Sequence, residues 1–155
     1  MPRPLLALSA AVLAFACSST STPLPPNDGF IALGTWGGDT AAMIVGDTAM
    51  HLHIGCTFGD VSGRVPLDAQ GHFDVSGSYM LRAFPIAVGP SVPARFTGRL
   101  DANVISVTAT IDDTVQKKTV VLGPVKVTYL VEPKMRNCPI CRRPIRTRLV
   151  FPIGP

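Results

Sequence analysis

HFDVSGSYML, running from His72 to Leu81, is the stretch that decides the fold. Phe73, Val75, Gly77, Tyr79 and Leu81 stand at alternate positions, with His72, Asp74, Ser76 and Ser78 among those between them. Successive side chains of a strand point to opposite faces, so a two-residue period with one polar side marks antiparallel sheet with one wetted face. The same period recurs downstream, where Ile105, Val107, Ala109 and Ile111 alternate with Ser106, Thr108 and Thr110. Upstream, Met50, Leu52, Ile54 and Cys56 alternate with His51 and His53. Turn signals cut the rest of the chain into pieces of similar length. They are Gly37-Gly38-Asp39, Gly46-Asp47-Thr48, Asp68-Ala69-Gln70-Gly71, Asp101-Ala102-Asn103 and the Pro/Gly stretch Pro85–Ala94. Eight strands are predicted: Phe30–Trp36, Thr40–Val45, Ala49–Cys56, Asp60–Leu67, His72–Phe84, Arg95–Leu100, Val104–Ile111 and Thr119–Val131. No stretch reads as a helix. Eight short-linked strands of this kind close most simply into a small antiparallel up-and-down β-barrel, which leaves no exposed edges. A two-sheet β-sandwich is the alternative. The barrel domain is expected over residues 29–132.

Ahead of it, Arg3 supplies one positive charge and Leu5–Ala16 is apolar apart from Ser9, ending Leu13-Ala14-Phe15-Ala16-Cys17. A helix needs about 20 apolar residues to cross a bilayer, so this run is too short to span. A basic start, a short apolar run and small residues before a cut site describe a signal peptide over 1–16. Ordinary cleavage would leave a secreted or periplasmic protein. The cysteine at the cut point, the lipobox-like residues before it and the polar, Pro-rich tether Ser18–Pro26 (SSTSTPLPP) favour lipidation of Cys17 instead. Residues 17–28 are then the lipidated cysteine and a flexible tether. Two or more acyl chains anchor stably where one binds marginally. Ser18 after the cysteine resembles the outer-membrane sorting pattern of hosts with two membranes.

Charge is divided unevenly. Residues 17–132 hold seven Lys/Arg and ten Asp/Glu, a net of −3, whereas 133–155 hold six Lys/Arg and no acid. The overall +4 therefore belongs to the C-terminal tail. A nucleic-acid-binding domain would carry a basic face on its fold, so no nucleic-acid partner is expected. Lys134, Arg136, Arg142, Arg143, Arg146 and Arg148 suit contact with an anionic surface, worth about 1 kcal/mol per basic residue near lipid. With four prolines after residue 137, a partly disordered tail is the plainer reading.

Gly34-Thr35-Trp36-Gly37-Gly38-Asp39, the run CTFGDVSG that opens at Cys56, and Leu67-Asp68-Ala69-Gln70-Gly71-His72-Phe73-Asp74-Val75 together resemble a family of small uncharacterised bacterial secreted proteins. Its members carry a GTWGG motif, an FDCAHG-like motif and an LDADGRFDV-like motif. The resemblance covers about Gly29 to Cys138 and implies export and a barrel-like domain, but no reaction. Phe58 stands where the family has His, and the segment past Cys138 has no counterpart there. The family pattern also implies that Cys56 pairs with Cys138. A disulfide closing so long a loop stabilises by roughly 3–5 kcal/mol. More loosely, Gly34-x-Trp36 is similar to the GxW with which lipocalins, avidins and a barrel-type bacterial metalloprotease inhibitor open their barrels, the Trp plugging one end. Trp36 as ordinary core is the plainer reading.

Candidate chemistry is sparse. Cys138-Pro139-Ile140-Cys141 has the CxxC spacing of redox pairs and zinc half-sites. It lacks a thioredoxin-like βαβ context and a matching first half, which disfavours redox catalysis and a zinc finger. With Cys56 paired to Cys138 as the resemblance implies, Cys141 would be free or exchange with Cys138, with redox or metal roles as the alternatives. His51 and His53 could join Cys141 on zinc, but their period puts both on the wet face opposite Cys56, and exposed strand histidines are favoured. No G-x-S-x-G elbow occurs, His72 also falls on an outward position, and Asp112-Asp113 read as solvated turn residues. No catalytic residues, metal or cofactor are expected. The sequence thus points to a non-enzymatic cell-envelope lipoprotein with a binding or structural barrel. The alternatives are a lipocalin-like carrier of a small apolar ligand and a protease-inhibitor-type barrel. Gly77, Gly98 and Ala109 would permit a narrow pocket, while Phe73, Tyr79, Phe96 and Leu100 could fill it.

Overall fold

The computed structural model describes residues 23–82 and 89–135. Its strands are β1 (Gly34–Gly37), β2 (Ala41–Val45), β3 (Ala49–Ile54), β4 (Thr57–Ser62), β5 (His72–Met80), β6 (Val92–Asp101), β7 (Val104–Asp113) and β8 (Lys118–Tyr129). Each pairs antiparallel with the next, and β8 returns to β1, closing an up-and-down barrel of eight strands. Among the described residues there is no helix. The barrel expectation holds and the sandwich alternative falls.

Several boundaries move: β1 begins at Gly34 rather than Phe30, β5 ends at Met80 rather than Phe84, and β6 begins at Val92, inside the expected Pro/Gly loop. Around β4 the reasons are local. The chain turns at Gly55-Cys56, so β4 begins at Thr57 rather than Asp60, and Cys56 sits half-buried in the turn instead of ending a strand. Gly55 supplies the left-handed backbone this tight turn requires, with φ +59°. At the far end of β4 the chain leaves the sheet after Ser62, and Pro66 forms only a bridge to Phe30.

Two-residue periodicity does what the sequence demands of it. Phe73, Tyr79, Phe96, Ile105, Val107, Ala109 and Ile111 are buried inside, joined by Met43, Met50 and Leu52 from β2 and β3. On β8 the spacing slips, because Val107 pairs with Val125 while Ala109 pairs with Leu122. Gly123 and Pro124 thus stand against the single residue Thr108, a bulge that keeps Leu122 and Val125 on the inner side and accommodates a proline with no ladder donor.

The interior glycines leave no gap. A Cβ on Gly98 would lie 2.5 Å from Phe73 Cζ, one on Gly77 would lie 3.0 Å from Phe96 Cε2, and one on Gly59 would meet the Tyr79 and Phe96 rings. An aromatic ring stands by each of these positions, together with the neighbouring strand's carbonyl at Gly77 (Asp60) and Gly98 (Ser106), so the space beside Gly77 and Gly98 is taken up by rings and backbone.

Trp36 lies at the closing seam, where β1 and β8 share two residue pairs, Trp36–Tyr129 and Gly37–Thr128. It is fully buried, its ring centroid is 4.9 Å from that of Tyr129, and its indole N–H donates to the Ala32 carbonyl at 3.0 Å. Beyond β8 the chain recrosses β1, with Leu130 N–H donating to Thr35 O and Lys134 N–H to Gly38 O, each at 2.8 Å. A side chain at 37 would collide with this backbone and one at 38 with the Lys126 carbonyl of β8, which accounts for the double glycine of the GTWGG stretch.

Candidate functional site

The described residue cluster richest in chemical groups lies on the outer wall. The turn at Gly55-Cys56 sets the β3–β4 register, which places His51 opposite Asp60 and His53 opposite Phe58. All four are outward neighbours of the inward Leu52 and Gly59, the sheet equivalent of one helical face. Ile44 and Ala42 on β2 flank the histidines, and Ser78 and Met80 on β5 flank Asp60 and Phe58.

The groups form a directed chain of hydrogen bonds. His51 Nδ1 is 2.5 Å from Asp60 Oδ1, and His51 Nε2 is 2.8 Å from His53 Nε2. An ionised carboxylate only accepts, so the proton on His51 Nδ1 is the one donated to Asp60. A neutral His51 then has a lone pair on Nε2, and His53 donates its Nε2–H into it. The two imidazoles meet edge to face with centroids 4.6 Å apart, and the Phe58 ring packs on both at 5.3 and 5.5 Å. Burial pushes the His53 pKa below its usual value, and the neighbouring His51 pushes the same way while Asp60 opposes.

This geometry aligns each N–H with an acceptor but does not build a nucleophile. Ser78 lies opposite Asp60 and so beside the carboxylate, while the imidazole nitrogen of a triad is here occupied by a second imidazole. Among the described residues no group of three or more His, Cys, Asp or Glu side chains is arranged to hold a metal ion.

The other sequence candidates separate. His51 and His53 do face outward, but they are half-buried and engaged rather than simply solvated. His72 is exposed and pairs with Asp68 at 3.2 Å. Asp112 is exposed as expected; Asp113 is not, being 1% exposed. It accepts from Arg82 Nη2 at 2.7 Å and from the backbone N–H groups of Val115 and Gln116 at 3.1 Å, tying down the β7–β8 turn. Trp36 belongs to the core at the seam. Cys17, Cys138 and Cys141 lie outside the described residues, as does the tail beyond Met135, so Cys56 is the one member of the expected disulfide within them. Lys134 is exposed, 3.9 Å from Asp39. The role of Asp60 was missed from sequence. Placing the two-residue turn at Gly55-Cys56 would have found it, since that register alone brings Asp60 across from His51.

A surface groove of about 320 Å³ lies at a barrel rim between Leu24–Asn27 and the Asp68–Gly71 turn. Comparison of the chain with protein-family models, curated proteins and solved structures gives no match in any of the three.

Proposed function

We propose that this is an exported cell-envelope lipoprotein, anchored through acylated Cys17, whose barrel is a solid, non-enzymatic module that binds a protein partner or serves structurally through its outer surface. The observation that carries the reading is the filled interior. Trp36, Tyr79, Phe96, Met43, Met50 and Leu52 are all fully buried, and aromatic rings cover the inward glycines. A barrel of eight strands has an interior just wide enough for side chains to fill or for one small ligand, and here side chains supply the filling. That favours a solid barrel of the inhibitor type over a lipocalin-like carrier. The anchor rests on the apolar run Leu5–Ala16, the cysteine after it and the Pro-rich tether.

Mass spectrometry of the protein purified from its native membrane tests both parts. The expected result is a mature N-terminus at diacylated or triacylated Cys17 and no co-purifying lipophile. A different mature N-terminus would overturn the anchor. A stoichiometric small apolar ligand would overturn the solid module and restore the carrier.

A further inference from the structure

We propose that His51 and His53 form a two-imidazole chelate on the outer wall for a tetragonal divalent transition-metal ion, Cu(II) before Ni(II), with Asp60 orienting His51 and water completing the coordination. Imidazole is a good ligand for copper, nickel and zinc, and affinity at a given nitrogen site rises to a maximum at Cu(II). Geometry then separates copper and nickel from zinc. Two nitrogens about 2.0–2.1 Å from an ion are about 2.9 Å apart at a right angle and about 3.4 Å apart at the tetrahedral angle. The Nε2 atoms of His51 and His53 are 2.8 Å apart across their hydrogen bond, a spacing near the right-angled edge of a square-planar ion and short of the tetrahedral one, so each ring has only to swing its Nε2 off the line between them to face a shared ion.

The surroundings resemble what metal-binding imidazoles need. A ligating histidine characteristically donates its other ring N–H to a carboxylate, which fixes the tautomer and makes the ligating nitrogen more basic. His51 does this toward Asp60. Phe58 packs against both rings and limits their rotation, so the chelate loses little side-chain freedom on forming. The site is not sealed in the core, since the His51 and Asp60 side chains are 36% and 48% exposed and His53 is half-buried. An ion can therefore arrive from solvent and retain water.

The exchange balances without an added reactant. The ion takes the lone pair of His51 Nε2 and replaces the proton on His53 Nε2. That proton moves to His53 Nδ1, so the ring stays neutral and two metal–nitrogen bonds replace one N–H···N hydrogen bond. Two protein ligands, rather than three or four, make a solvent-exchangeable site suited to carrying or sensing the ion and not to holding it as a permanent structural centre.

The test is titration of the full mature protein with Cu(II) alone, followed by electron paramagnetic resonance, with His51→Ala, His53→Ala and Asp60→Asn in the same cysteine background. One equivalent is expected to show coupling to two imidazole nitrogens, lost in either histidine variant. Asp60→Asn should keep the two-nitrogen signal but weaken binding about 10–100-fold, the effect of losing an orienting carboxylate. The melting temperature of the wild type should rise with ion concentration and that of the histidine variants should not. All three positions lie on the outer wall, and unchanged circular dichroism shows that a variant folds. Two-nitrogen coupling that survives in either histidine variant overturns the chelate. So does loss in only one of them, or tighter binding of Zn(II) than of Cu(II).

Discussion

Tyr79 donates its hydroxyl hydrogen to Thr57 inside the barrel. The two oxygens are 2.8 Å apart, and Thr57 gives its own hydrogen to the Ile54 carbonyl at 2.8 Å, leaving Tyr79 as the donor between them. Burial pushes the Tyr79 pKa from 10.0 to about 12, against the smaller opposing pull of these hydrogen bonds. The phenol is neutral when protonated, so a raised folded-state value favours the fold fully below pH 10 and the benefit is lost as pH climbs toward about 12. The contribution is on the order of 2 kcal/mol. Phenolate absorbance in a Tyr129→Phe variant, where Tyr79 is the remaining tyrosine, should show ionisation near the upper value and coincident with unfolding. Ionisation at the ordinary tyrosine value with the fold intact would contradict this environment. Tyr79→Phe should cost about 1 kcal/mol at neutral pH.

The aromatic cover over the inner glycines gives a steric prediction. A methyl on Gly59 would meet Tyr79 Cδ2, and would lie 2.7 Å from Phe96 Cζ and 2.8 Å from the Ser78 carbonyl. Backbone cannot yield cheaply, so Gly59→Ala should destabilise by about 1–3 kcal/mol in urea denaturation. Gly46→Ala is the contrast, because its nearest neighbour would be the Ala49 carbonyl at 3.5 Å. That change should stay within about 0.5 kcal/mol. Equal effects would mean that the inner wall is looser than the ring positions indicate.

The barrel was legible because its strands bury one face only. Period two survives through β5, β6 and β7, and the tight turns between strands carry Gly, Asp and Asn. The β3–β4 turn was not legible. Gly55-Cys56 follows Ile54 without an Asn-Gly or Asp-Gly signature, and Cys56 continues the apolar alternation, so the strand reads two residues too long. That error hid the Asp60–His51 pair, which depends on register and not on proximity in sequence. Asp113 was misread for a related reason. Adjacent acids at a turn are usually solvated, and only the fold brings Arg82, 31 positions away, onto one of them.

The Asp113–Arg82 pair makes the fold sensitive to acid in a definite direction. The Arg82 hydrogen bond, with help from the Val115 and Gln116 N–H groups, holds the Asp113 carboxyl below its ordinary 3.8 despite the opposing effect of burial. A depressed folded-state value stabilises above 3.8, and the benefit disappears as pH falls through the lower value. Asp113→Asn should therefore lower the melting temperature at neutral pH. The gap between variant and wild type should narrow as pH drops below 3.8. A gap that stays constant down to strongly acid pH would show that the carboxylate charge is not what ties the β7–β8 turn to Arg82.

Trp36 tests whether the seam and the rest of the barrel are one cooperative unit. Only two residue pairs join β1 to β8, against eight between β5 and β6, so the ladder alone would make this the place to open first. Packing argues the other way, because Trp36 is fully buried in the same core as Met43 and Val127 and its N–H is held by Ala32. Trp36→Phe would leave the Ala32 carbonyl without that donor and should cost about 1–3 kcal/mol. Trp36→Ala should cost about 3–5 kcal/mol. Trp36 is the single tryptophan, so its fluorescence reports the seam while circular dichroism reports the sheet. The two should change together across a denaturant titration, as in a two-state transition. Fluorescence that shifts at lower denaturant than the sheet signal would mean that the seam opens on its own, and that hydrogen-bond count outweighs burial in holding the barrel closed.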